Sequence, residues 1–144
     1  MINKIYSQVN KNILLHIIVR NSREEQRVDV CPDTEYLQLA CLNMNKGKTF
    51  RPHKHIWKKG EPQVIAQESW VVLDGKVKVF LYDIDDQIVH VDYLEKGDAS
   101  ITFQGGHNYE ILEDNTQVYE YKTGPYYGQV LDKEFIEDED HPGS

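Results

Sequence analysis

The stretch "ESWVVLDGKVKVFLY", residues 68–82, decides how the chain is read. Val77, Val79 and Leu81 alternate with Lys76, Lys78 and Phe80, so one face is apolar and the other mixed. That period of two marks a half-buried β-strand. Gly75 separates this run from the apolar run over 68–74. Working outward, short runs rich in Val, Ile and Tyr cover 13–20, 35–44, 49–55, 88–94, 100–103, 108–112 and 117–122. Gly, Asp and Asn divide them, and "DIDDQ" and "LEKGD" read as turns. No sustained helical periodicity intervenes, and the charged stretch 21–29 fits at most a helical turn. Nine short strands in this space predict an all-β sandwich or barrel.

The chain has 144 residues, 40% of them hydrophobic, which suits one compact domain with a real core. Its formal net charge of −8 repels phosphate backbones, so no nucleic-acid partner is expected. No apolar run approaches a membrane span, so no membrane association is expected either. The opening "MINKIYSQVNKN" lacks the apolar block and cleavage site of a signal peptide. Cys31 and Cys41 have no zinc or redox spacing and read as free thiols of a cytoplasmic protein. Along the chain, residues 1–34 are expected to form an N-terminal strand segment packing on a barrel over 35–131. An acidic tail, 132–144, is expected to be disordered.

The chemistry concentrates around "RPHKH", residues 51–55. Side chains two apart on a strand share a face, so Arg51, His53 and His55 point one way and Lys54 the other. Two imidazoles facing a barrel interior need satisfying partners, and a divalent metal is one. Glu68 opens a strongly apolar strand, where a carboxylate is costly unless paired or bound to metal. His107 follows two glycines that let the backbone turn and place its ring at a barrel mouth. Glu61, in the loop "KKGEPQ", is the rival to Glu68. The competing reading of the three histidines is a wet, metal-free pocket in which one of them acts as a base.

These residues carry a resemblance. His53-x-His55, then Glu68 and the six-residue interval to Gly75, is similar to the first motif of the cupin superfamily. Gly97-Asp98 followed by Gly105, Gly106 and His107 resembles the second, and 21 residues lie between Gly75 and Gly97. Twelve residues separate His55 from Glu68, more than the family usually has. The resemblance covers roughly residues 35–125. It implies a single-domain, cupin-type jelly-roll β-barrel with one divalent metal (zinc, iron, manganese or nickel) held by His53, His55, Glu68 and His107. "RPHKH", "ESWVVLDGKVKVFLYD" and "VYEYKTGPY" further resemble the WbuC-type cupin metalloproteins of bacterial polysaccharide gene clusters.

Such a site implies a small-molecule ligand, a sugar or nucleotide sugar, and isomerase- or epimerase-like Lewis-acid chemistry in surface polysaccharide metabolism. The alternatives are a non-catalytic metal- or metabolite-binding cupin serving as sensor or accessory subunit, and an iron-dependent dioxygenase. The fold hosts all of these and does not decide between them. Tyr109 and Glu110 are the candidate catalytic groups. Arg51 is expected to meet an anionic part of the ligand at the barrel mouth. The excursion 56–67 is expected to lie beside that mouth, its return "QVIAQ" pairing with 49–55, with Trp57 over the ligand. A homodimer is expected from the resemblance, with the strand over 13–20 offering an interface.

Overall fold

A computed structural model describes residues 2–20, 23–60, 63–138 and 140. It opens with β1 (Ile2–Tyr6), β2 (Leu14–Val19), β3 (Arg27–Asp29), β4 (Leu37–Met44) and β5 (His53–His55). β6 (Trp57–Lys58), β7 (Val64–Ile65), β8 (Glu68–Asp74), β9 (Lys76–Tyr82) and β10 (Ile88–Glu95) follow. β11 (Ala99–Thr102), β12 (Gly106–Ile111), β13 (Thr116–Thr123), the single turn α1 (Gln129–Asp132) and β14 (Lys133–Phe135) complete the chain.

Two five-stranded sheets face each other, ordered β10-β9-β12-β5-β14 and β11-β8-β13-β4-β3, in a jelly-roll arrangement. Their inner faces share one core that includes Leu42, Trp70, Val72, Val79, Ile111 and Val118. The alternation in β9 holds as read: Val77 and Val79 enter this core and Leu81 packs on it. On the outer face Phe80 and Tyr82 are also buried, because Ile136 lies over them. The Tyr82 hydroxyl donates to Asp138 at 2.5 Å.

That contact corrects the expectation of a disordered tail from residue 132. Two apolar residues among acidic ones, Phe135 and Ile136, are enough to fold the segment back as β14 against β5. Glu139 and residues 141–144 lie outside the described residues. Two other elements differ from the sequence reading. Residues 27–29 are an edge strand rather than part of a helical turn, because Arg27 spans to Glu120 on β13. Among the described residues the strands of the excursion after His55 pair with each other, Trp57 with Ile65 and Lys58 with Val64, and "QVIAQ" does not pair with 49–55. Among the described residues β1 and β2 likewise pair with each other alone. Cys31 and Cys41 are free, as expected.

The hairpin joining β8 to β9 turns at Gly75, whose φ is +89°. A Cβ there would stand 2.3 Å from the Thr116 hydroxyl oxygen and 2.8 Å from its Cα. Both the left-handed backbone and the contact with β13 therefore require glycine. Gly75→Ala is expected to lower unfolding free energy by about 2 kcal/mol or more, read from the denaturant midpoint at unchanged slope.

Candidate metal centre

His53 and His107 are direct cross-strand partners on β5 and β12. His55 lies two residues further along the same face of β5, and Glu68 reaches in from the start of β8 in the opposing sheet. The excursion 56–67 thus carries the chain from one sheet to the other, not between neighbouring strands. At His107 the backbone is turned by Gly105, with φ +82°. Gly106 then lies so close to β14 and β5 that a Cβ would meet the Ile136 side chain at 2.3 Å and the His53 carbonyl at 3.0 Å.

The ring atoms converge. His53 Nε2 and His107 Nε2 are 3.2 Å apart, and His107 Nε2 is 2.8 Å from Glu68 Oε2. His55 Nε2 is 3.7 Å from Glu68 Oε1. All four residues offer ligand atoms within 4.8 Å of one another. Ligand atoms around a tetrahedral ion with bonds of about 2.0 Å stand roughly 3.3 Å apart, the spacing these contacts approach. Each Nδ1 is occupied on the outer side. That of His53 donates to the Arg51 carbonyl at 3.1 Å, and that of His107 meets the Thr102 hydroxyl at 3.0 Å. That of His55 lies 3.1 Å from Asp132 Oδ2, an ion-pair contact off the line of a hydrogen bond. This outer support turns all three Nε2 atoms inward.

The electrostatics fit a cation. Burial, reinforced by the facing His107, pushes the His53 imidazole down to about 3, so it is neutral. Burial also lowers His55, but contacts with Asp132 and Glu68 outweigh it and raise the ring to about 9. Burial opposes ionisation of Glu68, yet His107 and then His55 hold its carboxyl well below the usual range. His55 Nε2, buried, has no hydrogen-bond partner among the described residues. With the ring raised to about 9, this nitrogen holds a proton in the metal-free chain, and a divalent ion would displace it beside the ionised carboxylate. The donor set of three imidazoles and one carboxylate suits a borderline divalent transition ion.

His53, His55 and Glu68 border a cavity of about 360 Å³ between the sheets. Trp70 and Tyr109, both almost fully buried, line it and stack on each other with centroids 3.7 Å apart. The expected site residues divide here. Tyr109 lines the cavity, but burial raises its phenol well above the ordinary value and its hydroxyl pairs with Ser100, so it holds its proton. Glu110, one residue on, falls on the opposite face of β12 and does not line the cavity, as strand alternation requires. Arg51 does not line it either: its guanidinium lies over the Phe135 ring and 3.5 Å from Glu137, because β14 occupies the space beside it. Trp57 is 53% exposed and outside the lining. Its neighbour Lys58 is the buried residue of that hairpin, 3.6 Å from Asp132. The excursion therefore lies against the site through Lys58 and Asp132, on the His55 side. Glu61 lies outside the described residues.

Sequence reasoning missed Asp132, Lys133 and Lys122, all placed around His55 and Glu68. Asp132 is fully buried and faces His55, Lys58 and Lys122. Its carboxyl is held down to about 2: burial opposes this, and His55 and the lysines prevail. In the sequence it reads as one more acid near an acidic end, and only the apolar Phe135-Ile136 pair signals a packed segment.

No protein-family model and no curated protein matches the sequence, and the likeness to known proteins is one of fold. KdgF from Halomonas sp. superposes with a TM-score of 0.55 at 23% identity, over 73% of this chain and 82% of that one. An uncharacterised conserved protein with a double-stranded β-helix domain from Klebsiella pneumoniae superposes at 0.55 and 16% identity, over 83% and 91%. The capsular polysaccharide assembling protein CapF from Staphylococcus aureus reaches 0.60 at 20% identity, over 78% of this chain and 32% of that one. The fold is that of the cupins. Double-stranded β-helices of this kind put facing sheets around a cavity, which is where this cupin-fold chain gathers its four ligand-type residues.

Asp132→Asn keeps the shape of the residue supporting His55 and removes its charge. Zinc affinity of the metal-free protein is expected to fall about 10–100-fold, read by competition with a chromogenic chelator, with circular dichroism unchanged.

Proposed function

We propose that the chain is a metal-dependent cupin-fold enzyme that acts on a small polar metabolite, a sugar or nucleotide sugar, in surface polysaccharide metabolism. The observation that carries this is the convergence of His53, His55, His107 and Glu68 at one end of a cavity of metabolite size. The likeness to CapF and the WbuC-like stretches support the biological setting. A bound divalent ion supplies Lewis acidity toward hydroxyl and carbonyl oxygens. The chain's own residues do the rest. Thr102, Asp132 and the Arg51 carbonyl orient the imidazoles. The stacked Trp70–Tyr109 pair gives one part of the cavity wall an apolar edge for a sugar ring, and Tyr109 keeps its proton.

A second reading, a non-catalytic metabolite-binding cupin, is favoured by one observation. The cavity carboxylate Glu120 is committed to Arg27 at 2.9 Å and to the Trp70 indole at 3.0 Å. Asp132 is likewise committed to cations. Neither is a free base.

We also propose a homodimer. A two-stranded ribbon is marginal alone, and β1–β2 exposes Ile5, Tyr6, Leu15 and Ile18. The free thiols fit a reducing cytoplasm. Among the described residues no helix is long and apolar enough to cross a membrane.

The function is tested by metal analysis followed by turnover. Purified protein is expected to carry about one divalent ion per chain, and Glu68→Ala and His107→Ala to lose it while staying folded. The metal-loaded protein is expected to interconvert a nucleotide sugar with its epimer or isomer, followed by chromatography. Binding without turnover across such a panel selects the second reading, and redox-active iron with oxygen consumption selects a dioxygenase. Variants that keep full metal occupancy contradict the site.

A further inference from the structure

Each side of the ligand set has a lysine as its cross-strand neighbour. Lys133 on β14 stands opposite His55, and Lys122 on β13 stands opposite Glu68. Directly opposed residues of an antiparallel pair share a face, with Cβ atoms about 4.5–5.5 Å apart. Both lysines accordingly line the cavity, one from each sheet.

The protein meets these charges only in part, Lys122 through Asp132 and the face of the Tyr126 ring. The cavity's third cation, Arg27, is neutralised by Asp29 at 3.0 Å and Glu120 at 2.9 Å. Lys122 is 3.4 Å from Asp132, but that single carboxylate also serves Lys58 and His55. The Lys133 ammonium makes no hydrogen bond and no ion pair with any described residue, its backbone N–H alone bonding to the Gln129 carbonyl. It feels Glu68, Asp132 and Glu120 only at longer range, while burial and then Lys122 act against its charge. Its field also reaches His53. A half-buried ammonium without a counter-ion is costly. In a chain of net charge −8 with acidic residues in excess, leaving one on a cavity wall needs a reason.

We infer that the cavity receives an anionic ligand, a small molecule bearing a carboxylate or phosphate, whose charged group lies between Lys133 and Lys122 while its oxygens face the metal-ligand set. This deepens the proposed function and rests on it for the metal alone. The lysines would attract an anion without any ion bound. A divalent ion would add to the positive field in the cavity, so metal and anion are expected to bind cooperatively.

The test uses the full chain, loaded with zinc or stripped by chelator, and isothermal titration with glucuronate, glucose 6-phosphate, malate and glucose. Either charged sugar is expected to bind at least about tenfold tighter than glucose, with affinity falling as salt rises. Tighter binding of glucuronate assigns a carboxylate, and of glucose 6-phosphate a phosphate. Malate binding alone keeps the anion and removes the sugar from the proposed function. Lys133→Ala is expected to weaken anion binding about tenfold or more at unchanged zinc stoichiometry, and Lys133→Arg to restore part of it. Lys133→Met, which keeps the apolar stem, guards against a folding defect. Anion binding to a chain that takes no zinc supports this inference and overturns the metal reading. Glucose binding as tightly as the anions, no binding by any anion, or unchanged anion affinity in both Lys133→Ala and Lys133→Met overturns the inference itself.

Discussion

The approach of His53 Nε2 to His107 Nε2, 3.2 Å apart in a buried mouth, constrains much of what surrounds it. A single proton can bridge the two nitrogens as a hydrogen bond, whereas a lone pair on both or a proton on both would repel. Glu68 Oε2, 2.8 Å from the same His107 nitrogen, adds a charge that burial would otherwise suppress. A divalent ion shared among them would take both nitrogens and the carboxylate as ligands at once. The arrangement persists because each ring is held from behind, by a carbonyl, a hydroxyl and a carboxylate. It also depends on the strand register that sets His53 opposite His107.

The C-terminal segment belongs to this site as much as the motif strands do. Ile136 seals the outer face of the first sheet over Phe80 and Tyr82, which lets β14 pair with β5. That pairing carries Asp132 to His55 and Lys133 to the cavity wall. The same segment occupies the space beside Arg51 and draws its guanidinium onto Phe135. That short apolar pair thus brings Lys133 to the cavity and keeps Arg51 from it. The β6–β7 hairpin is tied to the same point by Lys58, so it meets the site at its supporting layer and not over the cavity.

Much of this was legible in the residues. Period-two alternation in 76–82 and the run over 68–74 state both strand identity and which side chains face inward. That is why Glu68, a charge at the head of an apolar strand, stands out as a candidate ligand, and the structure brings it to the three histidines. His53 and His55 share a face by the same rule. What failed was decided by contacts between distant segments. Arg51 obeys the alternation, but its direction was settled by a strand more than 80 residues away. Glu110 was a candidate by proximity in sequence, although alternation alone already turns it from the site. Asp132 and Lys133 gave almost no local signal, since three residues of strand are too few to show a period. β1 and β3 were missed because exposed or very short edge strands lack the apolar alternation on which the reading relies.

The central claim is that the four converging side chains hold one divalent ion. The most direct measurement is an anomalous difference map from crystals of the metal-loaded protein, collected on both sides of the absorption edge. The account predicts a single strong peak about 2.0–2.3 Å from the Nε2 atoms of His53, His55 and His107 and from a Glu68 oxygen. No peak there in a protein that binds metal stoichiometrically in solution, or a peak bound through other residues, would contradict it.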